Sequence, residues 1–217
     1  MSSNQQDKTQ YWDGFYEAGA GDRIPPPSQF AAFVAQELES DAHVIDVGCG
    51  SGRDSLFFAQ RGLPVLGIDA SKAAIENCQS TAERLGLSQA RFRCASVETE
   101  EFPQLLADSV SAADAQAVVY ARFFLHALTD EEQERLLSAL SEALRPGDLF
   151  VAEYRTTRDA MLSKETSAHY RRYIDPAQLL VDVAARGYAV NYAAEGFGYA
   201  KYRHDDAHVA RAIFERQ

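Results

Sequence analysis

With 217 residues and 46% hydrophobic content, the chain can fill the core of one domain, and no low-complexity tract marks disorder. A formal net charge of −11 excludes the broad basic footprint of a nucleic-acid-binding surface, and no apolar run is long enough to span a membrane. Cys49, Cys78 and Cys94 are odd in number and outside any CxxC spacing, so neither a disulfide framework nor a zinc ribbon is indicated; reduced thiols and an N-terminus without a signal core point to the cytoplasm.

The first patterned stretch is residues 8–20, where Trp12, Phe15 and Tyr16 share one helical face before Gly19, Gly21 and Pro25 to Pro27 break the chain. Such a helix either docks on the core or covers a ligand. Ser28 then caps a helix bearing Phe30, Phe33, Val34 and Leu38. Val44, Ile45 and Val47 form a short buried strand interrupted by Asp46, followed by Gly48, Gly50 and Gly52 and by a helix stopped at Gly62. Strand, glycine turn and helix make a cradle for a nucleotide-like ligand, because glycine lets the backbone approach and the helix N-terminus offers unpaired N–H groups. The dinucleotide fingerprint G-x-G-x-x-G fails in both frames, since Arg53 and Ser55 occupy the third glycine position.

A second strand, Leu63 to Asp69, ends in a carboxylate 21 residues after Gly48, where it can accept ribose hydroxyls. A helix from Ser71 to Leu85 stops at Gly86, and Arg91 to Cys94 is the third strand. Ala115 to Tyr120 reads as the fourth strand, Thr129-x-x-Glu132 as a capping box, and Leu149 to Tyr154 as the fifth strand. Residues 156–174 are polar and basic and break the alternation, so they read as an insertion capping an acceptor pocket. Asp175-Pro176 opens a last helix, and Tyr188 to Ala194 with His208 to Phe214 read as a closing β-hairpin. His204 and His208 flank two aspartates in that hairpin, a solvated turn rather than a metal site, and no metal is expected.

Asp46-x-Gly48-x-Gly50-x-Gly52, followed by Asp69, resembles the first motifs of class I S-adenosylmethionine (SAM) methyltransferases. Tyr11-Trp12-Asp13-x-Phe15-Tyr16 resembles their aromatic lids, and Leu144-x-Pro146-Gly147-Asp148 a step common among them. The resemblance implies a single α/β domain over 1–217. Its fold would be a Rossmann-like, doubly wound, seven-stranded mixed sheet with helices on both faces, an N-terminal helical lid within 1–40 and an insertion after the fifth strand. It implies SAM as cofactor, with S-adenosyl-L-homocysteine as product. The implied cofactor contacts are Trp12, Arg23 (to the carboxylate), Asp46, Gly48, Cys49, Gly50, Gly52, Asp69, Ala70, Ser96 and Val97 (at the adenine, where many relatives carry Asp), and Tyr120.

His126, just after the fourth strand, is the candidate general base, because an ordinary pKa of about 6.5 suits proton uptake near neutrality. The alternative is a half-buried structural histidine. Arg122, Arg155, His169, Arg171 and Arg172 are candidates to hold an anionic acceptor, with Glu153 orienting an amine or one of the arginines; ion pairing with surplus carboxylates is the alternative. The expected reaction is methyl transfer to oxygen or nitrogen of a small acceptor: a sugar, a polysaccharide precursor or a natural-product intermediate. Neither the Asn/Asp-Pro-Pro-aromatic motif nor a Pro-Cys dipeptide follows the fourth strand, which argues against nucleic acid as substrate. The protein is expected as a monomer or homodimer without membrane partners. A SAM-binding protein without turnover and a nicotinamide-dependent oxidoreductase are the competing readings.

Overall fold

The computed structural model describes Gly14 and residues 26–162, 164, 170–202 and 204–217. The expected aromatic lid with Trp12 and Arg23, and also His169, lie outside the described residues.

Helix α1 (Gln29–Glu37) starts where the Ser28 hydroxyl accepts the Ala31 amide at 2.9 Å. Strand β1 (His43–Val47), α2 (Arg53–Gln60) and β2 (Val65–Asp69) follow, then α3 (Lys72–Arg84), capped by Ser71, and β3 (Ala90–Cys94). Next come α4 (Phe102–Ser111), β4 (Ala117–Arg122) and α5 (Asp130–Ala143), whose capping box joins Thr129 and Glu132 reciprocally. Strand β5 (Leu149–Arg155), α6 (Pro176–Ala184), β6 (Tyr188–Gly196), β7 (Lys201–Tyr202), β8 (Asp205–Asp206) and β9 (Val209–Arg216) complete the chain.

The large sheet has seven strands in the order β3-β2-β1-β4-β5-β9-β6. Strands β1 to β5 pair in parallel, and β9 runs antiparallel between β5 and β6. This is the doubly wound mixed sheet that the resemblance implies. On one face Ile45, Val119, Phe150 and Phe214 meet Leu106, Leu136, Leu140 and Val183 of α4, α5 and α6. On the other, Val44, Val118, Tyr120 and Val151 meet Phe30 and Val34 of α1 and Phe58 of α2. Phe150 and Phe214 stand opposite each other and stack at 5.6 Å, a cross-strand pair worth about 1 kcal/mol beyond its burial that helps fix the reversed strand.

Two elements differ from the sequence expectations. Strand β4 begins and ends two residues later than 115–120. The carbonyls of Ala113 and Ala115 are taken by the Arg145 guanidinium, and Arg122 is drawn into the sheet opposite Glu153. Helix α4 lies in a stretch to which no element was assigned. Its signal is Phe102, Leu106 and Val110 at four-residue spacing, with Pro103 in the first turn.

Asp148 anchors the entry to the sheet: its buried carboxylate accepts the amides of Ala117 and Arg145, both at 2.8 Å. Asp148→Ala leaves the Ala117 amide buried without an acceptor and should lower unfolding stability by about 1–3 kcal/mol in urea titrations.

Candidate active site

The site grows from the carboxyl ends of the parallel strands, where an open α/β sheet leaves a crevice. Gly48, Gly50 and Gly52 adopt φ of +76°, +53° and +72°. A Cβ on Gly48 would stand 2.3 Å from the Phe124 ring, and one on Gly52 would stand 2.7 Å from the Cys78 sulfur, so both positions need glycine for space as well as for φ. The turn hangs on β2, with the amides of Gly48 and Cys49 donating to the Ile68 carbonyl at 2.8 and 3.1 Å. Asp69, at the end of β2, accepts the amides of Gly50 and Ser71, each at 2.9 Å. Its carboxylate is thereby fixed on the rim of a cavity of about 510 Å³.

Asp46, Gly48, Cys49, Gly50, Asp69 and Ala70 border this cavity, with Ser96 and Val97 further along the same wall. Gly52 is packed against Cys78 behind the turn. Tyr120 borders the cavity but has no exposed surface; Phe30 and Phe58 lie 5.3 Å from its ring, and its hydroxyl donates to Asp54 at 2.9 Å. Burial, with Asp54 next, holds the phenol well above its ordinary pKa, so it remains a donor.

The far wall carries the charged candidates, and most of them are engaged. Arg122, Glu153 and Arg211 face one another across β4, β5 and β9. Glu153, fully buried, accepts Arg122 at 2.8 Å and Arg211 at 2.6 Å. Arg155 donates to Asp159 at 2.6 Å and Asp205 at 2.7 Å, all three nine-tenths buried or more. Arg172 turns outward to Asp130 and Gln133 on α5. Arg122, Arg155 and Arg171 border the cavity. His126 also borders it, and its Nδ1 accepts the Arg155 amide at 3.4 Å. In that arrangement the neutral ring carries its proton on Nε2.

Three features had no counterpart in the sequence expectations. Phe123, at φ +56°, is the non-glycine residue in the left-handed region among the described residues. Its ring meets the Arg122 guanidinium at 4.4 Å, the Arg155 guanidinium at 5.6 Å and the His126 ring edge-on at 5.2 Å. The β7–β8 hairpin brings Ala200, Lys201, Tyr202 and Asp205 to the cavity; a twelve-residue span between β6 and β9 is too long for a tight turn, which was the available signal. Asp54 and Ser55, just after the glycine turn, serve the interior. Asp54 accepts Ser28 and Tyr120, while Ser55 donates to Asp46 at 2.5 Å. Burial pushes the Asp46 carboxyl up to about 7 from an ordinary 3.8; the Ser55 hydrogen bond opposes this, and Asp54 and Asp69 add to it.

A family model described as a methyltransferase domain matches residues 44–147, from β1 to the turn before β5. An uncharacterized methyltransferase, YcgJ, of Bacillus subtilis is 23% identical over 144 residues, covering 66% of this chain and 52% of that protein. The O-antigen chain terminator bifunctional methyltransferase/kinase WbdD of Escherichia coli is 28% identical over 131 residues, covering 60% of this chain and 18% of WbdD. The chain thus spans about half of the first relative and a fifth of the second. The solved structure of a SAM-dependent methyltransferase from Anabaena variabilis has the same fold, with a TM-score of 0.72 and 20% identity over 100% of this chain and 96% of that one. The cavity residues fit such a cofactor: a glycine cradle, a pinned carboxylate at a strand end, and a buried acid beneath the turn.

Between pH of about 4 and 7 folded Asp46 keeps a proton that the unfolded chain has released, so this group's contribution to stability falls as pH rises through that window. Asp46→Asn removes the slope. Relative to wild type, the variant should gain about 4 kcal/mol of unfolding free energy between about pH 4 and about pH 8, read from urea titrations at both.

Proposed function

We propose that the chain is a class I SAM-dependent methyltransferase and that it transfers the methyl group of SAM to an oxygen or nitrogen of a small, anionic acceptor. A sugar, a polysaccharide precursor or a natural-product intermediate fits that description. The observation that carries the reading is the Asp69 carboxylate, pinned by the Gly50 and Ser71 amides on the rim of the cavity that the glycine turn opens onto. From there it accepts ribose hydroxyls with its remaining lone pairs. Gly48, Cys49 and Gly50 hold the methionine end and Ser96 and Val97 the adenine end; Trp12 and Arg23 cover the former in this reading.

When bound, SAM supplies a methyl group on a sulfonium that leaves as a neutral thioether. The chain's own residues orient the acceptor and exclude water, and alignment alone is worth several kcal/mol of barrier. Arg122, stacked on Phe123, and Arg171 face the acceptor, joined by Lys201 from the β7–β8 hairpin. Arg155, Arg172 and Glu153 support this site through the ion pairs described above, and His169 is a further candidate for the same acceptor. The WbdD resemblance supports a sugar-linked acceptor. His126 stands at the acceptor end, and with Nδ1 on the Arg155 amide its neutral ring orients the acceptor through Nε2–H. A general-base role requires that bond to break.

The test is incubation with SAM labelled in its methyl group and a cellular metabolite extract, resolved by anion exchange. Label should enter a retained fraction. SAM binding with no label in any fraction would leave a binding protein without turnover. Asp69→Ala and Asp69→Asn should raise the SAM Kd at least about tenfold, and unchanged affinity would refute the ribose placement. His126→Ala should cut turnover and leave SAM affinity intact; wild-type turnover would return His126 to a structural role.

A further inference from the structure

Of the carboxylates that border the cavity, Asp46, Asp54 and Asp69 lie around the glycine turn, and they differ in what serves them. Asp54 accepts the Ser28 amide at 2.8 Å, the Ser28 hydroxyl at 2.7 Å and the Tyr120 hydroxyl at 2.9 Å. Asp69 accepts two amides. Asp46 is 3% exposed and receives, among the described residues, one hydrogen bond, from Ser55 at 2.5 Å. A carboxylate offers about four acceptor positions, and one buried with a single donor and no cation is costly as an anion. It must hold a proton or find a positive partner.

The groups around Asp46 offer no such partner. Ser55 and Asp54 face it from α2, Asp69 from β2, Tyr120 and Arg122 from β4, and Cys49 from the turn. Arg122 is the cation among them, and it is bound to Glu153 at 2.8 Å and lies 4.0 Å from Asp54. The Cys49 thiol and the Tyr120 phenol are both held well above their ordinary pKa, the thiol by its Cys78 hydrogen bond and burial and the phenol by burial, so neither exchanges protons near neutrality.

We infer that cofactor binding is an ion exchange at Asp46: its carboxylic proton leaves to solvent as the ammonium of the cofactor's amino-acid portion enters and takes its place. The O–H bond of the acid breaks, the proton passes to bulk buffer, the carboxylate accepts an ammonium N–H, and no electrons move. The inference rests on the reading of the cavity as a SAM site. It makes the glycine turn selective for ligands that carry a cationic amino-acid tail, and it makes affinity rise with pH through neutrality.

Calorimetric titration of the full chain with S-adenosyl-L-homocysteine, in two buffers of different ionisation heat, counts the protons exchanged. At about pH 6.5 wild type should release more than half a proton per ligand, and its Kd should tighten about tenfold between about pH 6 and about pH 8. Methylthioadenosine, which lacks the amino-acid tail, should bind without proton release. Asp46→Asn should bind S-adenosyl-L-homocysteine without proton release and with a Kd that is flat over the same range. Binding of S-adenosyl-L-homocysteine by wild type without proton release overturns the inference and leaves the SAM-site reading standing; so does equal release with methylthioadenosine. Absence of any S-adenosyl-L-homocysteine binding from about pH 6 to about pH 8 overturns the SAM-site reading and the inference together.

Discussion

Glu153 holds the parallel and antiparallel parts of the sheet together beside the cavity. Its carboxylate lies on the central strand of three, with a guanidinium from the parallel neighbour on one side and one from the antiparallel neighbour on the other. Buried Arg211 and half-buried Arg122 are tolerable at this spacing because that anion sits between them, and removal of one member of such a row usually costs several kcal/mol. The row also fixes register. Arg122 can reach Glu153 only because β4 runs one residue beyond its apolar core, and that extension sets Phe123, Phe124 and His126 around the cavity.

The cofactor half of the site was legible because its chemistry is local. Glycines at alternate positions, an acid before them and an acid closing the next strand lie within 24 residues, from Asp46 to Asp69, and backbone geometry imposes each of them. The acceptor half was not, because its meaning depends on partners far away in sequence. Arg155 reads as a free cation until Asp205, fifty residues on, folds back against it. Glu153 reads as orienting an amine or any of several arginines until strand pairing places it between Arg122 and Arg211. Helix α4 escaped notice for a different reason: its apolar residues sit in a stretch rich in acids and small polar groups, where a four-residue rhythm is easily lost.

Electrostatics divides the cavity along the same line. Around the glycine turn carboxylates outnumber cations, which suits a ligand with a positive centre; Arg122, Arg171 and Lys201 also border the cavity, Arg122 4.0 Å from Asp54. Phe123 separates the two environments, its ring against the guanidinium groups and its backbone turned into the left-handed region, so that Phe124 folds back onto Gly48. That turn stores about 1 kcal/mol of backbone strain beside the glycine turn.

The position of β9 bears on how the protein is made. Each of strands β2 to β5 pairs with a strand that the ribosome has already delivered, but the strand between β5 and β6 is the last of the described strands to emerge. Until residues 209–216 leave the exit tunnel, β5 presents an unpaired edge and Glu153 has one of its two arginines. Such long-range closure is slow relative to local helix formation. During synthesis the glycine turn and its carboxylates can therefore assemble early, while the acceptor wall waits for the C-terminal strand to insert. A nascent chain would acquire its cofactor cradle well before its capacity to choose a substrate.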